Sequence, residues 1–78
     1  MQEIEIRLCS VQDVQEFVAL ATAQPFVVMV GNHDHMVSGQ CFMEMFCLDF
    51  TRPMFACAEC SEEAFAPFRA ALAKFAAQ

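Results

Sequence analysis

Polar and apolar residues alternate from Glu3 to Leu8. Ile4, Ile6 and Leu8 fall on one side of an extended chain and Glu3, Glu5 and Arg7 on the other, which predicts a strand with one buried face. The period then changes: Ser10 is placed to cap a helix, Asp13 falls in its first turn near the positive end of the dipole, and Val11, Val14, Phe17, Val18 and Ala21 recur at helical spacing. Pro25 closes that helix, and Phe26 to Val30 reads as a second strand ending in the turn formers Gly31, Asn32, His33 and Asp34. His35 to Ser38 returns as a short third strand. Cys41 to Leu48 is apolar almost throughout and predicts a short helix packed across the sheet, after which Asp49 to Pro53 is a loop and Met54 to Glu59 a fourth strand. Ser61, Glu62 and Glu63 open a last helix, with Phe65, Phe68, Leu72 and Phe75 along one side. Proline inside a helix costs about 3 kcal/mol, so this helix is expected to begin nearer Ala64 or to bend at Pro67.

The element order is therefore β-α-β-β-α-β-α, an α+β arrangement with one antiparallel sheet and its helices on one face. The 78 residues allow a single domain, 1–78, with no repeats or linkers. A hydrophobic content of 58% argues against disorder, and six Met and nine Phe are more apolar side chains than so small a core obviously needs. Ten acidic against four basic residues leave a net charge of −6, and Arg7, Arg52, Arg69 and Lys74 are scattered, so there is no basic stripe for nucleic acid or an anionic membrane. The acidic, alternating start is unlike a secretory signal, and no segment has the apolar length of a membrane span. Five cysteines without framework spacing fit reduced thiols, and the expected location is cytoplasmic.

The order of elements, together with the stretch Met36 to Asp49, resembles the HPr family, the phosphocarrier proteins of the bacterial sugar phosphotransferase system. In that family, too, a short strand is followed by an apolar short helix and a loop into the fourth strand. Cys47-Leu48-Asp49 and Arg52-Pro53 stand where little-characterised members carry Ser-Leu-Asp and Lys-Pro. The resemblance spans essentially the whole chain and implies an open-faced β-sandwich: four antiparallel strands in spatial order 1-4-2-3 under three helices. Aligned on Phe17-Val18, the family's phosphoacceptor histidine falls on Ser10, its arginine on Gln12 and its proline on Asp13. A phosphate ester on a serine is far more inert than a phosphoramidate, and Asp13 would repel the dianion. The family's regulatory serine falls on Cys41 and the preceding lysine on Gln40; a thiol is no substrate for a serine kinase. The resemblance thus implies an HPr-like protein without phosphocarrier activity, in which Ser10 is a helix cap.

Other residues carry weaker chemistry. His33 and His35 form a His-x-His pair, and Cys57 and Cys60 have the spacing of half a zinc site, so these four are the metal- or thiol-binding alternative, set against solvated turn histidines. The same two cysteines could be a redox pair, but the flanking sequence of such pairs is missing. Tyr and Trp are absent, and no nucleophile sits beside a base, so neither an enzyme nor a cofactor is expected. Phe42, Met43 and Met45 are either an exposed docking helix, as the equivalent helix is in HPr, or core. The sheet is more telling. With Phe26, Val28 and Val30 toward the helices, Val27 and Met29 point away; Phe55 and Cys57 do the same on the fourth strand and Met36 on the third. In the 1-4-2-3 order, Val27, Met29, Met36, Phe55 and Cys57 make one apolar patch on the face without helices, where the family carries two aspartates on the second strand. Such a patch predicts a protein interface, most simply a homodimer burying Met29 and Phe55.

Overall fold

The computed structural model describes residues 2–32, 34–48 and 51–76. His33, Asp49 and Phe50, which enter the turn and loop assignments above, lie outside the described residues. The chain runs β1 (Gln2–Ile6), α1 (Val11–Thr22), β2 (Met29–Asn32), β3 (His35–Ser38), α2 (Phe42–Met45), β4 (Met54–Ala58) and α3 (Glu62–Ala71), followed by a 3-10 turn (Leu72–Phe75). The fold is α+β, with a four-stranded antiparallel sheet in the order β1-β4-β2-β3, as expected from the sequence.

Register explains the core. Ile4 stands opposite Ala56, Ala56 opposite Val30, and Val30 opposite Val37, a row across all four strands that points toward the helices. The small Ala56 and Ala58 on the central β4 leave room for large side chains from above. Those come from α1 (Val14, Phe17, Ala21), α3 (Phe65, Phe68) and the 3-10 turn (Leu72, Phe75), all buried. Phe68 meets Phe65 edge-on at 5.6 Å and Phe26 at 5.9 Å between ring centroids. Fully burying one such side chain stabilises by about 1.5–3 kcal/mol, so the three completely buried phenylalanines carry a large share of so small a core. No polar or charged side chain is buried among the described residues.

The helices begin where their caps sit. Ser10 accepts from the Asp13 N–H and Ser61 from the Ala64 N–H. α3 therefore starts at Glu62, earlier than Ala64, and runs on through Pro67, whose exposed position lets water satisfy the carbonyl that its missing N–H leaves open. Other boundaries also differ from the periodicity: β2 runs on through Gly31 to Asn32, because both pair with β3, and β4 stops at Ala58, short of Glu59. β1 ends at Ile6, and the buried Leu8 follows a stretch where the Arg7 N–H donates to the Phe75 carbonyl and Ile6 bridges Ala76. β2 starts at Met29, because the bend at Pro25 turns Phe26 onto Phe65 and Phe68, and the Gln40 amide ties the bend down through the Ala21 and Phe26 carbonyls. α2 is one turn only, extended by the turn bonds Cys47 N–H to Glu44 C=O and Leu48 N–H to Met45 C=O. Among the described residues no helix is long and apolar enough to cross a membrane.

Candidate functional site: the open face of the sheet

The residues that alternate with the core row define the other face. One row reads Glu3, Cys57, Met29, Ser38 across β1, β4, β2 and β3; the next reads Glu5, Phe55, Gly31, Met36. Within the strands the carboxylates of this face thus stand on the β1 edge, while its centre and its β3 edge are apolar or small. Beyond Met29, Val27 is 65% exposed in the bend before β2. Val27, Met29, Met36 and Cys57 line one open groove of about 870 Å³, which Pro25, Phe26 and Ala58 also line and which Glu3 and Glu59 make acidic. Phe55, half-buried, stands in the adjoining row, with Gly31 between it and Met36. All five residues expected on the open face are brought together.

Gly31 shapes this surface. Its φ of +150° favours glycine, and a Cβ there would come within 2.1 Å of the His35 carbonyl oxygen. The tight turn is held by the Asn32 side chain, which accepts from the Asp34 and His35 N–H groups. Without a side chain at Gly31, the face keeps a dent between Phe55 and Met36. The Pro25–Phe26 wall of the groove was not foreseen from periodicity, although the Pro25 bend was its signal.

Cys57 is less accessible than strand alternation implies. It is 7% exposed, yet it lies outside the core cluster and on the open face, where its Sγ donates to the Glu3 carboxylate at 3.6 Å. Burial first, then the charge and hydrogen bond of Glu3, push its thiol above the ordinary value of 9.0. A thiol held protonated is a poor nucleophile, and all five cysteines are free. Cys60, in contrast, packs against the helix-side core, so the two cysteines serve opposite sides of the sheet. His35 is exposed at the β2–β3 turn, paired with Asn32, three residues along β2 from the Cys57 row, which is about 10 Å in a strand. Among the described residues no three His, Cys, Asp or Glu side chains gather as metal ligands.

The second expected site is the start of α1. Cys9, Ser10, Val11, Val14 and Phe46 line a notch of about 250 Å³ with no basic side chain in it. Two amides here are engaged: Asp13 Oδ2 accepts the Cys9 N–H at 2.9 Å and Ser10 Oγ accepts the Asp13 N–H at 3.1 Å. Cys41 flanks α2 as its cap residue without a side-chain cap bond, and Gln40 is spent on the Phe26 bend. In the candidate docking helix, Met43 is 75% exposed, Phe42 is half-buried against the core, and Met45 is fully buried. Met45 is therefore a core residue and not part of a docking surface, because a single helical turn laid on the sheet must point one side chain straight down. Phe46, exposed and edge-on to Phe42 at 4.9 Å, takes its place on the surface.

No protein-family model matches the chain, and a search of the curated proteins finds no match to it.

Proposed function

We propose that the chain is an HPr-like domain without phosphocarrier activity that works in the cytoplasm as a protein-interaction module, through the open face of its sheet. It pairs there, most simply, with a second copy of itself. One observation carries the reading: Val27, Met29, Met36 and Cys57 line a single groove on the helix-free face, with Phe55 in the adjoining row. The order β1-β4-β2-β3 supports the resemblance to the phosphocarriers, and the notch at Ser10, with no basic side chain and with the serine hydroxyl spent on the Asp13 N–H, supports loss of their chemistry. Five free thiols suit a reducing compartment.

Charge selects how two copies would meet. Glu3 and Glu5 sit on the β1 edge and Met36 and Ser38 on the β3 edge. A two-fold axis along the strands lays the acidic edge of one copy over the uncharged edge of its partner; an axis across the strands would stack carboxylate on carboxylate. Area sets the strength. Four strands at about 4.8 Å spacing and five residues at about 3.4 Å cover about 300 Å², against about 800 Å² per partner in a standard interface, so association is expected in the micromolar range. Sedimentation velocity tests this: the wild type and Met43→Glu should dimerise at micromolar concentration, and Met29→Glu should be a monomer. A monomeric wild type, or a dimer untouched by Met29→Glu, refutes the reading. Incubation with phosphoenolpyruvate and the first enzyme of the phosphotransferase system should leave the protein unmodified; a phosphorylated side chain would overturn the other half.

A further inference from the structure

The groove also gathers sulfur. Met29 stands directly opposite Cys57 in the β2–β4 register, where Cβ atoms lie about 4.5–5.5 Å apart, and Met36 lines the same groove from β3. The Glu3 carboxylate sits on the far side of Cys57, already in contact with its Sγ. One thiol and two flexible thioethers beside a carboxylate differ from the sets that hold structural zinc, which are four thiolate or imidazole ligands in a closed tetrahedron and do not include thioethers. Soft sulfur donors suit a soft cation.

We propose that this groove binds one soft monovalent metal ion, Cu(I) or its redox-stable analogue Ag(I), between Cys57 and Met29, with Met36 as the third sulfur lining the site. On binding, a metal–sulfur bond forms as the Cys57 S–H bond breaks; the proton leaves to water, with Glu3 as its nearest acceptor. One positive charge enters and one leaves, so the groove gains no net charge and no redox step is involved. Glu3, an exposed carboxylate beside the thiol, supplies attraction for the incoming cation without having to be a ligand. The site exists within one protomer and does not depend on whether a second copy covers the face.

The test uses Ag(I) and methionine-methyl NMR on the full chain carrying Cys9→Ser and Cys47→Ser, which removes the two exposed thiols. The first equivalent should shift the Met29 and Met36 methyl signals and leave that of the exposed Met43 in place. Adding Cys57→Ser should weaken binding at least about 100-fold, the upper end of what losing a mere supporting group costs a metal site, and Met29→Leu by about tenfold. A Met29 methyl unmoved at saturating silver, or equal affinity after Cys57→Ser, overturns the proposal. Should the double variant not fold, the wild type gives the same readout, and a Met29 methyl unmoved after five equivalents is equally decisive. Sedimentation reports the dimer separately, so either idea can fail alone.

Discussion

Replacing Ser10 by alanine removes the oxygen that accepts the Asp13 N–H at 3.1 Å and loosens the reciprocal bond from the Cys9 N–H to Asp13 at 2.9 Å. The residue has the extended backbone of a helix cap, with φ −151° and ψ 167°, and it is exposed, so the loss is that of a cap and not of core packing. Caps of this kind are worth about 1 kcal/mol, within a range of about 0.5–2. A chain of 78 residues has a total stability of about 4–12 kcal/mol, so the loss is a sizeable fraction of it. In a domain of this size 1 kcal/mol lowers Tm by about 4–8 °C. Ser10→Asn, which keeps a short acceptor, should stay within about 0.5 kcal/mol of the wild type. Thermal and urea unfolding followed by far-ultraviolet circular dichroism measure both variants. If alanine is silent, or if asparagine costs as much as alanine, Ser10 is not held at this position by capping.

Gly31→Ala should lose about 1–3 kcal/mol from the backbone conformation alone, with more from a Cβ placed 2.1 Å from the His35 carbonyl oxygen; a urea midpoint equal to the wild type would refute the strained turn. Cys57 should be the slowest of the five thiols to react with iodoacetamide at pH 8, after the exposed Cys9 and Cys47, and peptide mass spectrometry ranks them; early modification of Cys57 contradicts its burial. Its raised thiol also predicts a sign for stability. The folded state holds the proton more tightly than the unfolded chain, so the contribution is fully present below about pH 9 and is lost as pH rises from 9.0 toward the folded value. Relative to Cys57→Ser, the wild type should therefore lose stability above pH 9, and parallel curves for the two proteins would exclude the effect.

Alternation and helical spacing carried most of this fold because they report one-sided burial. Ile4 and Ile6, Val28 and Val30, and Phe65 and Phe68 all landed where period two or 3.6 places them, and Ser10 and Ser61 marked helix starts through chemistry that is local to four residues. What periodicity could not supply was anything set by a partner far along the chain. Leu8 continues the alternation of β1 but leaves the strand, because pairing there passes to Phe75 and Ala76. Phe26 continues that of β2, yet its ring is taken by α3 and its carbonyl by Gln40. In α2 every position but Glu44 is apolar, so no pattern distinguishes the buried Met45 from the exposed Met43; the contact with the sheet decides it. For the open face, alternation found the five residues and missed the depth of Cys57, whose Sγ is bonded to Glu3, 54 positions away in sequence.

The layout of charge on that face limits what can cover it. A sheet with helices on one side ordinarily meets water on the other, and the cheapest way to stay soluble is to scatter charges over the outward positions. Here the outward carboxylates of the strands stand only on β1, at Glu3 and Glu5, and the outward positions of β4, β2 and β3 are Phe55, Cys57, Met29, Gly31, Met36 and Ser38. Burying a carboxylate without a partner costs several kcal/mol, whereas burying Met29 or Phe55 is favourable. The cover that costs least therefore keeps Glu3 and Glu5 at the solvent-facing rim, over an uncharged edge, and a two-fold pair along the strands does this for both copies at once. Part of the excess of Met and Phe over the needs of one core, at Met29, Met36 and Phe55, thus has a defined place in the structure. It lies on three strands, bounded by the acids that keep a solitary chain in solution.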